Sequence, residues 1–169
     1  YGTSALATSE PIGLPVLRMN NLQANGWDLS DLKYLDLPAK EVSRHRLNAG
    51  DIVFNRTNSK ELVGKCEVFR EAGDWLFASY LIRVAIDDSR ALPEFVAAFL
   101  SGGTGRGQID QLSRQIVGMA NINAQEIRSI KVPLPGKAAQ AAFVKDLQAA
   151  RNARDAKLAQ ADALLNGID

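Results

Sequence analysis

Gly50-Asp51-Ile52-Val53-Phe54-Asn55-Arg56-Thr57-Asn58-Ser59-Lys60-Glu61-Leu62-Val63-Gly64-Lys65 is the stretch on which the architecture turns. Ala49-Gly50-Asp51 reads as a turn, and Ile52-Val53-Phe54 as a buried strand: a short apolar run bounded by turn residues. Asn55 to Ser59 are five consecutive polar residues that must leave the core at its end. Asn58 with Glu61 three residues on has the form of a capping box. A rigid apolar strand that carries a polar loop at its tip suits binding chemistry displayed on a firm base.

Outward from this stretch the pattern mixes strands and short helices. Residues 14–19 (Leu-Pro-Val-Leu-Arg-Met) predict a strand that starts or lies at an edge because of Pro15. Asn25-Gly26 marks a turn. Leu32, Tyr34, Leu35 and Leu37 fit a second strand before Pro38, and residues 39–47 a short amphipathic turn or helix. Gly64 to Phe69 and Leu76 to Ile86 read as two more strands, the second rich in β-branched and aromatic residues. Pro93 opens a helix over 93–101 with Phe95, Val96, Phe99 and Leu100 on one stripe. The glycines of 102–107 end it, and a further helix covers about 106–114. Asn123 and Glu126 form a capping box for a short helical turn. Ile130-Lys131-Val132 reads as a last strand, stopped by Pro133 and Pro135.

From Lys137 to Asn166 there is no Pro or Gly, and strong helix formers dominate. Thirty such residues predict a rod of about 45 Å. Phe143, Leu147, Ala150, Leu158, Ala161 and Leu165 form one stripe, interrupted by Arg154. A rod that long projects beyond a small domain and needs either the domain's flank or another helix; a partner helix is expected on the stripe, with its alanines permitting close approach. The fold class is therefore α/β (α+β): a twisted mixed sheet with short helices over 1–136, then one long helix over 137–169.

Composition sets limits. The 169 residues are 46% hydrophobic and 23% charged, enough for one domain with a core. Net charge is +1, so a nucleic-acid surface requires the basic residues to be sorted onto one face. Segments 40–70 and 101–131 are net positive, whereas 27–39 and 71–100 are net negative. That pattern permits such a face. One Cys (Cys66) and one His (His45) build neither a disulfide framework nor a Cys/His zinc site. A lone thiol, with no signal peptide and no apolar run near ~18 residues, gives a cytoplasmic expectation and no membrane. Because Tyr1 stands where a Met would start a chain, a fragment is expected.

Enzyme motifs fail on spacing. Gly103 and Gly105 would need Gly at 108 for a dinucleotide fingerprint, and Gln108 stands there. Gly64-Lys65 would need Gly at 59 and Ser/Thr at 66 for a phosphate loop, where Ser59 and Cys66 stand. Asp51 and Glu61 lack the lysine that nuclease spacing puts at 63, which is Val63. They read as a turn Asp and a surface Glu. His45, between Arg44 and Arg46, reads as solvated or phosphate-facing. No catalytic residue and no metal site is assigned.

Binding chemistry remains. Arg56, Thr57, Asn58, Ser59, Lys60 and Lys65 offer one amide, two hydroxyls and three cations. Amides and guanidinium forks match base edges, and hydroxyls and lysines suit phosphates. Tyr80, Arg106, Arg114 and Gln115 form a second set.

Tyr1-Gly2-Thr3-Ser4, Val16-Leu17-Arg18-Met19, the whole of 50–65 and Phe77-Ala78-Ser79-Tyr80-Leu81-Ile82-Arg83 resemble the target recognition domain of type I restriction–modification specificity subunits. Ala120-Asn121-Ile122-Asn123 and Val132-Pro133-Leu134-Pro135 follow in the same order. The resemblance implies a recognition domain over 1–136 that reads one half of a split site in double-stranded DNA. The long helix over 137–169 would act as spacer and dimerisation element. It further implies a non-catalytic subunit that scaffolds adenine methyltransferase subunits and is joined later by a restriction/translocase subunit. S-adenosylmethionine, Mg²⁺ and ATP would belong to those partners, and this chain would hold no cofactor.

Two departures stand out. There is one unit where the family carries two, and Gly136-Lys137-Ala138-Ala139-Gln140 replaces the usual proline and acidic residues at the helix entry. A fragment, a half-subunit that dimerises through its helix, and a domain from a methyltransferase fusion all fit one unit. The alternative reading is a helical adaptor of a methyltransferase complex that reads no DNA.

Overall fold

The computed structural model describes residues 1–23, 26–116 and 118–166, with backbone alone for 115, 116 and 166. The chain runs β1 (Leu14–Leu17), a 3-10 turn (Met19–Asn21), β2 (Leu22–Gln23), β3 (Gly26–Trp27), β4 (Lys33–Leu35) and α1 (Ala39–His45). It continues with β5 (Ile52–Asn55), β6 (Thr57–Asn58), β7 (Cys66–Val68), β8 (Leu76–Phe77) and β9 (Leu81–Val84). Then come α2 (Pro93–Ser101), α3 (Gly103–Leu112), β10 (Arg114–Ile116), β11 (Met119–Asn121), α4 (Ala124–Ser129) and α5 (Lys137–Asn166). Asn25 of the Asn25-Gly26 turn lies outside the described residues.

The mixed α/β class and the long final helix are as the sequence predicts. The strands are shared among small sheets ordered β4-β1-β8, β7-β5-β9, β10-β11-β6 and β2-β3. Among the described residues only β4-β1-β8 mixes directions: β1 runs antiparallel to β4 and parallel to β8.

β5 is the centre. All four of its residues are buried. Ile52 and Phe54 face the larger core, with Cys66, Val68, Ile82, Leu100, Ile109 and Ile127. Val53 faces a second core with Leu17, Leu47, Phe69, Trp75, Phe77 and Leu81. A strand covered on both faces reads as a continuous apolar run rather than an alternation, which is what Ile-Val-Phe presents.

Three local readings are corrected. Residues 76–86 do not make one strand. β8 joins β1 and β9 joins β5, and the chain turns between them with Leu81 N–H donating to Ala78 O at 2.9 Å. Each half is apolar enough to need its own sheet, and β-propensity does not say which partner it will find.

The glycine cluster is not simply a loop: Gly102 ends α2 and caps α3, which begins at Gly103. Gly105 allows α3 to turn back on α2, since a Cβ there would meet Phe99 O at 2.1 Å. Ile130 to Val132 form no strand. Gln108 pairs with Lys131 instead, accepting from its N–H at 2.8 Å and donating to its C=O at 3.0 Å. One side-chain amide thus satisfies the peptide groups that a neighbouring strand would have taken.

α4 starts at the expected box. Asn123 Oδ1 accepts from Gln125 N (2.8 Å) and Glu126 N (2.9 Å), and Glu126 Oε2 accepts from Asn123 N at 2.7 Å.

α5 divides in two. Gln140, 0% exposed, accepts from Leu92 N at 2.9 Å and donates to Arg90 O (3.2 Å) and Pro135 O (2.8 Å). Phe143 meets Phe95 of α2 edge-on, with centroids 5.6 Å apart. Leu147 closes a cleft against Ala97, Ala98 and Ser101, and Arg151 pairs with Glu67 at 3.8 Å. Every described side chain from 152 to 165 is exposed, Ala161, Leu158 and Leu165 among them. Of the expected stripe, Phe143 and Leu147 lean on the chain's own domain, whereas Ala150, Leu158, Ala161 and Leu165 face outward. No helix among the described residues is long and apolar enough to cross a membrane.

Candidate nucleic-acid interface

The polar loop is built on backbone pairs. Asn55 N–H donates to Lys65 O and Gly64 N–H to Asn55 O, both at 2.8 Å, closing residues 55–65 into a loop. Gly64 has φ +86°, and a Cβ there would lie 2.8 Å from Ile109, so both backbone and packing require glycine. Inside the loop, Leu62 and Val63 N–H donate to Ser59 O, making one helical turn.

The expected Asn58–Glu61 box does not form. Asn58 Oδ1 accepts from the adjacent Ser59 N (2.9 Å), and the Ser59 hydroxyl holds the Glu61 carboxyl below its ordinary range.

Residues 55–59 do not all leave the core. β6 pairs with β11, Thr57 opposite Asn121 and Asn58 opposite Ala120. Strand alternation then buries Asn55 and Thr57 and leaves Arg56 and Asn58 half-buried.

Arg56 is held through both its backbone and its guanidinium. Its N–H donates to Tyr80 O (3.0 Å), and its O accepts from Ile122 N (2.9 Å). Its guanidinium donates to Asn121 Oδ1 (3.1 Å) and lies 5.0 Å from the Tyr1 ring centre. The Tyr1 hydroxyl accepts from Ala124 N at 3.1 Å. Gly2 is packed so closely that a Cβ would meet Phe77 O at 2.2 Å. His45 is only 9% exposed, contacts Tyr1 O through Nδ1 (3.2 Å) and lies edge-on to Phe77. The solvated role expected for it is corrected; it braces the first residues. Asp51, also buried, accepts from Asn48 N through Oδ2 at 2.7 Å, and burial pushes its carboxyl pKa up.

Arg106 donates to Val63 O (2.6 Å) and to Lys60 O, and pairs with Asp110 at 3.0 Å, so it pins the loop from beneath. Arg114 has a side chain 77% exposed, 3.3 Å from Glu126. It stands two strands from Thr57 across β10-β11-β6. The Gln115 side chain lies outside the described residues. Lys60 is exposed, Ser59 and Lys65 are half-buried, and Tyr80 is 51% exposed.

Several predicted residues share one face. Tyr80 borders a cleft with Arg18, Met19, Asn20 and Lys33. Asn58 and Lys65 border a second with Met19, Asn20 and Gln23. Ser59 and Lys60 border a third with Met119. The sequence reading missed Met19, Asn20, Gln23 and Met119. The available signal was Arg18-Met19-Asn20-Asn21, an abrupt polar break after an apolar strand. Asn21, 2% exposed, fixes that segment: it accepts from Arg18 N (2.9 Å) and donates to Asp28 O (2.9 Å) and Asp31 O (3.1 Å).

The chain is 30% identical over 150 residues to the EcoKI type I restriction enzyme specificity subunit of Escherichia coli K12. The chain is homologous to type I restriction enzyme specificity subunits. That match covers 87% of the chain and 32% of the E. coli protein. The MjaX specificity subunit of Methanocaldococcus jannaschii is 24% identical over 136 residues, covering 79% of the chain and 32% of that protein. The chain thus spans about a third of the length of the specificity subunits it matches. The crystal structure of the S subunit from M. genitalium superposes with TM-score 0.57 at 12% identity, over 88% of this chain and 35% of that one, and supports the fold. No family model matches.

Proposed function

We propose that this chain is one target-recognition unit of a type I specificity subunit, reading one half of a split site in double-stranded DNA. The observation that carries the reading is homology to specificity subunits over nearly the whole chain, joined to a polar face whose backbone is pinned from behind. The recognition domain over 1–136 supplies the face, and the long helix Lys137–Asn166 sets its distance from a second unit, residues 167–169 lying outside the described ones. Adenine methyltransferase subunits dock on this scaffold, a restriction/translocase subunit joins them, and the assembly works in the cytoplasm. The chain does no chemistry; S-adenosylmethionine, Mg²⁺ and ATP act on the partner subunits. Asn58, Ser59, Lys60, Lys65 and Tyr80 line the DNA side, with Arg114 at its flank and Gln115 beside it. Arg56, Thr57 and Arg106 hold the loop in shape.

The test is a DNA-shift assay of the chain with and without its methyltransferase subunit, at two salt concentrations. Weak, salt-sensitive binding that tightens in the complex is expected, since a lone half-site reader lacks avidity. A helical adaptor shows no DNA binding in either state. Methylation or cleavage by the chain alone removes the non-catalytic assignment. Arg114→Ala should weaken all duplexes alike and lower the salt slope by about 1. Arg56→Ala should instead lower the melting temperature, because it unties Tyr1 and Asn121.

A further inference from the structure

The cleft of about 200 Å³ shared by the 3-10 turn, β2 and the 55–65 loop is lined by four side-chain amides, one ammonium group and three apolar side chains. Proteins read adenine in the major groove with just such amides, because the adenine edge presents one acceptor and one donor. The amides here are already sorted into those roles. Gln23 Nε2 donates one of its two hydrogens to Asn20 O (2.7 Å), which leaves its Oε1 available as an acceptor. Asn58 Oδ1 is committed to Ser59 N, and its Nδ2 has only the weak acceptor Met19 Sδ at 3.6 Å, leaving donor capacity. Asn20 is exposed at the mouth. Deeper in, Asn55 is 1% exposed, and its Oδ1 has no hydrogen-bond partner among the described residues.

The apolar side matters equally. Met19 is 38% and Leu62 36% exposed beside the amides, with Leu22 buried behind them. An apolar patch next to an amide pair matches an adenine–thymine pair, whose thymine carries a C5-methyl group in the same groove. Lys65 at the rim is placed for the neighbouring phosphate. The segment bearing Met19 and Asn20 is held by the buried Asn21 and by Arg18, whose guanidinium donates to Asp31 at 2.8 Å. The amides are therefore held on a fixed frame rather than a floppy tip.

Resting on the DNA-recognition reading above, we propose that this cleft reads one adenine–thymine base pair. Gln23 and Asn58 take the adenine edge, Met19 and Leu62 take the thymine methyl, and Lys65 grips the adjacent phosphate.

The experiment selects bound duplexes from a randomised library with the full chain at low salt, then replaces bases one at a time in the selected sequence. Replacing thymine by uracil removes only the methyl group. Replacing adenine by purine removes only its amino group. At one position, uracil should weaken binding several-fold and purine about ten-fold or more. Met19→Ala should abolish the uracil effect and keep the purine effect, and Gln23→Ala should do the reverse. Lys65→Ala should weaken all sequences alike and lower the salt slope. Met19, Asn20 and Gln23 are surface residues, and an unchanged melting curve confirms that the variants fold. Selected DNA whose base preferences survive all three substitutions would overturn the proposal while leaving DNA recognition intact. No duplex retained at any salt would overturn both readings.

Discussion

The two halves of α5 share a composition and a hydrophobic stripe, yet one is docked and the other is bare. Residues 137–151 lean on the domain through Gln140, Phe143 and Leu147, while the described side chains from 152 to 165 are all exposed, with Arg154 and Asp155 at the edge of the same cleft. The difference is not helical propensity, which is high throughout. It lies in a few side chains that find partners on α2 and at the ends of neighbouring segments. Docking fixes the direction of the rod, and the bare half keeps whatever direction the docked half imposes.

The comparison breaks most severely at Gln140. Gln140→Ala removes the buried amide that Leu92 N–H, Arg90 C=O and Pro135 C=O share, and should cost about 2–4 kcal/mol in a urea melt. Next comes Phe143→Ala. It removes a half-exposed ring and its edge-on contact, and should cost about 1–2 kcal/mol.

Cys66 sharpens the contrast without a denaturant. Its thiol lies beneath the docked half, and burial pushes its pKa up to about 12. It should therefore resist a thiol-reactive reagent at pH 8 until the helix lifts. Gln140→Ala should speed its labelling at least ten-fold; equal rates would mean that docking does not depend on that amide. The smallest effect belongs to the bare half. Leu158→Ala and Leu165→Ala should each change the stability of the chain by less than about 0.5 kcal/mol. Any larger change in a sedimentation experiment would report a partner helix.

The same split between local and distant causes governs what the sequence could reveal. α2, the Asn123 cap and α5 were readable because their signals are local: a proline at the first turn, a capping box, thirty residues without a breaker. The buried run of β5 was readable because both its faces are covered. The short β6 and β11 were not, since pairing Thr57 with Asn121 joins residues far apart in the chain and no residue in either segment announces it. The break at Ala78-Ser79-Tyr80 was hidden for the same reason. In the candidate site the 55–65 loop stood out by its chemistry, but its alternation of buried and displayed residues followed from the unseen pairing. Met19, Asn20 and Gln23 lie more than thirty residues away, and only the fold carries them to Asn58 and Lys65.

The passage of the chain from β8 to β9 sews two sheets together with three residues, and the ring of Tyr80 sits on that seam. A load applied to the ring is divided at once between a mixed sheet and an antiparallel one. Neither can yield without dragging the other, so contact made at this knuckle is passed to the body of the domain as a whole.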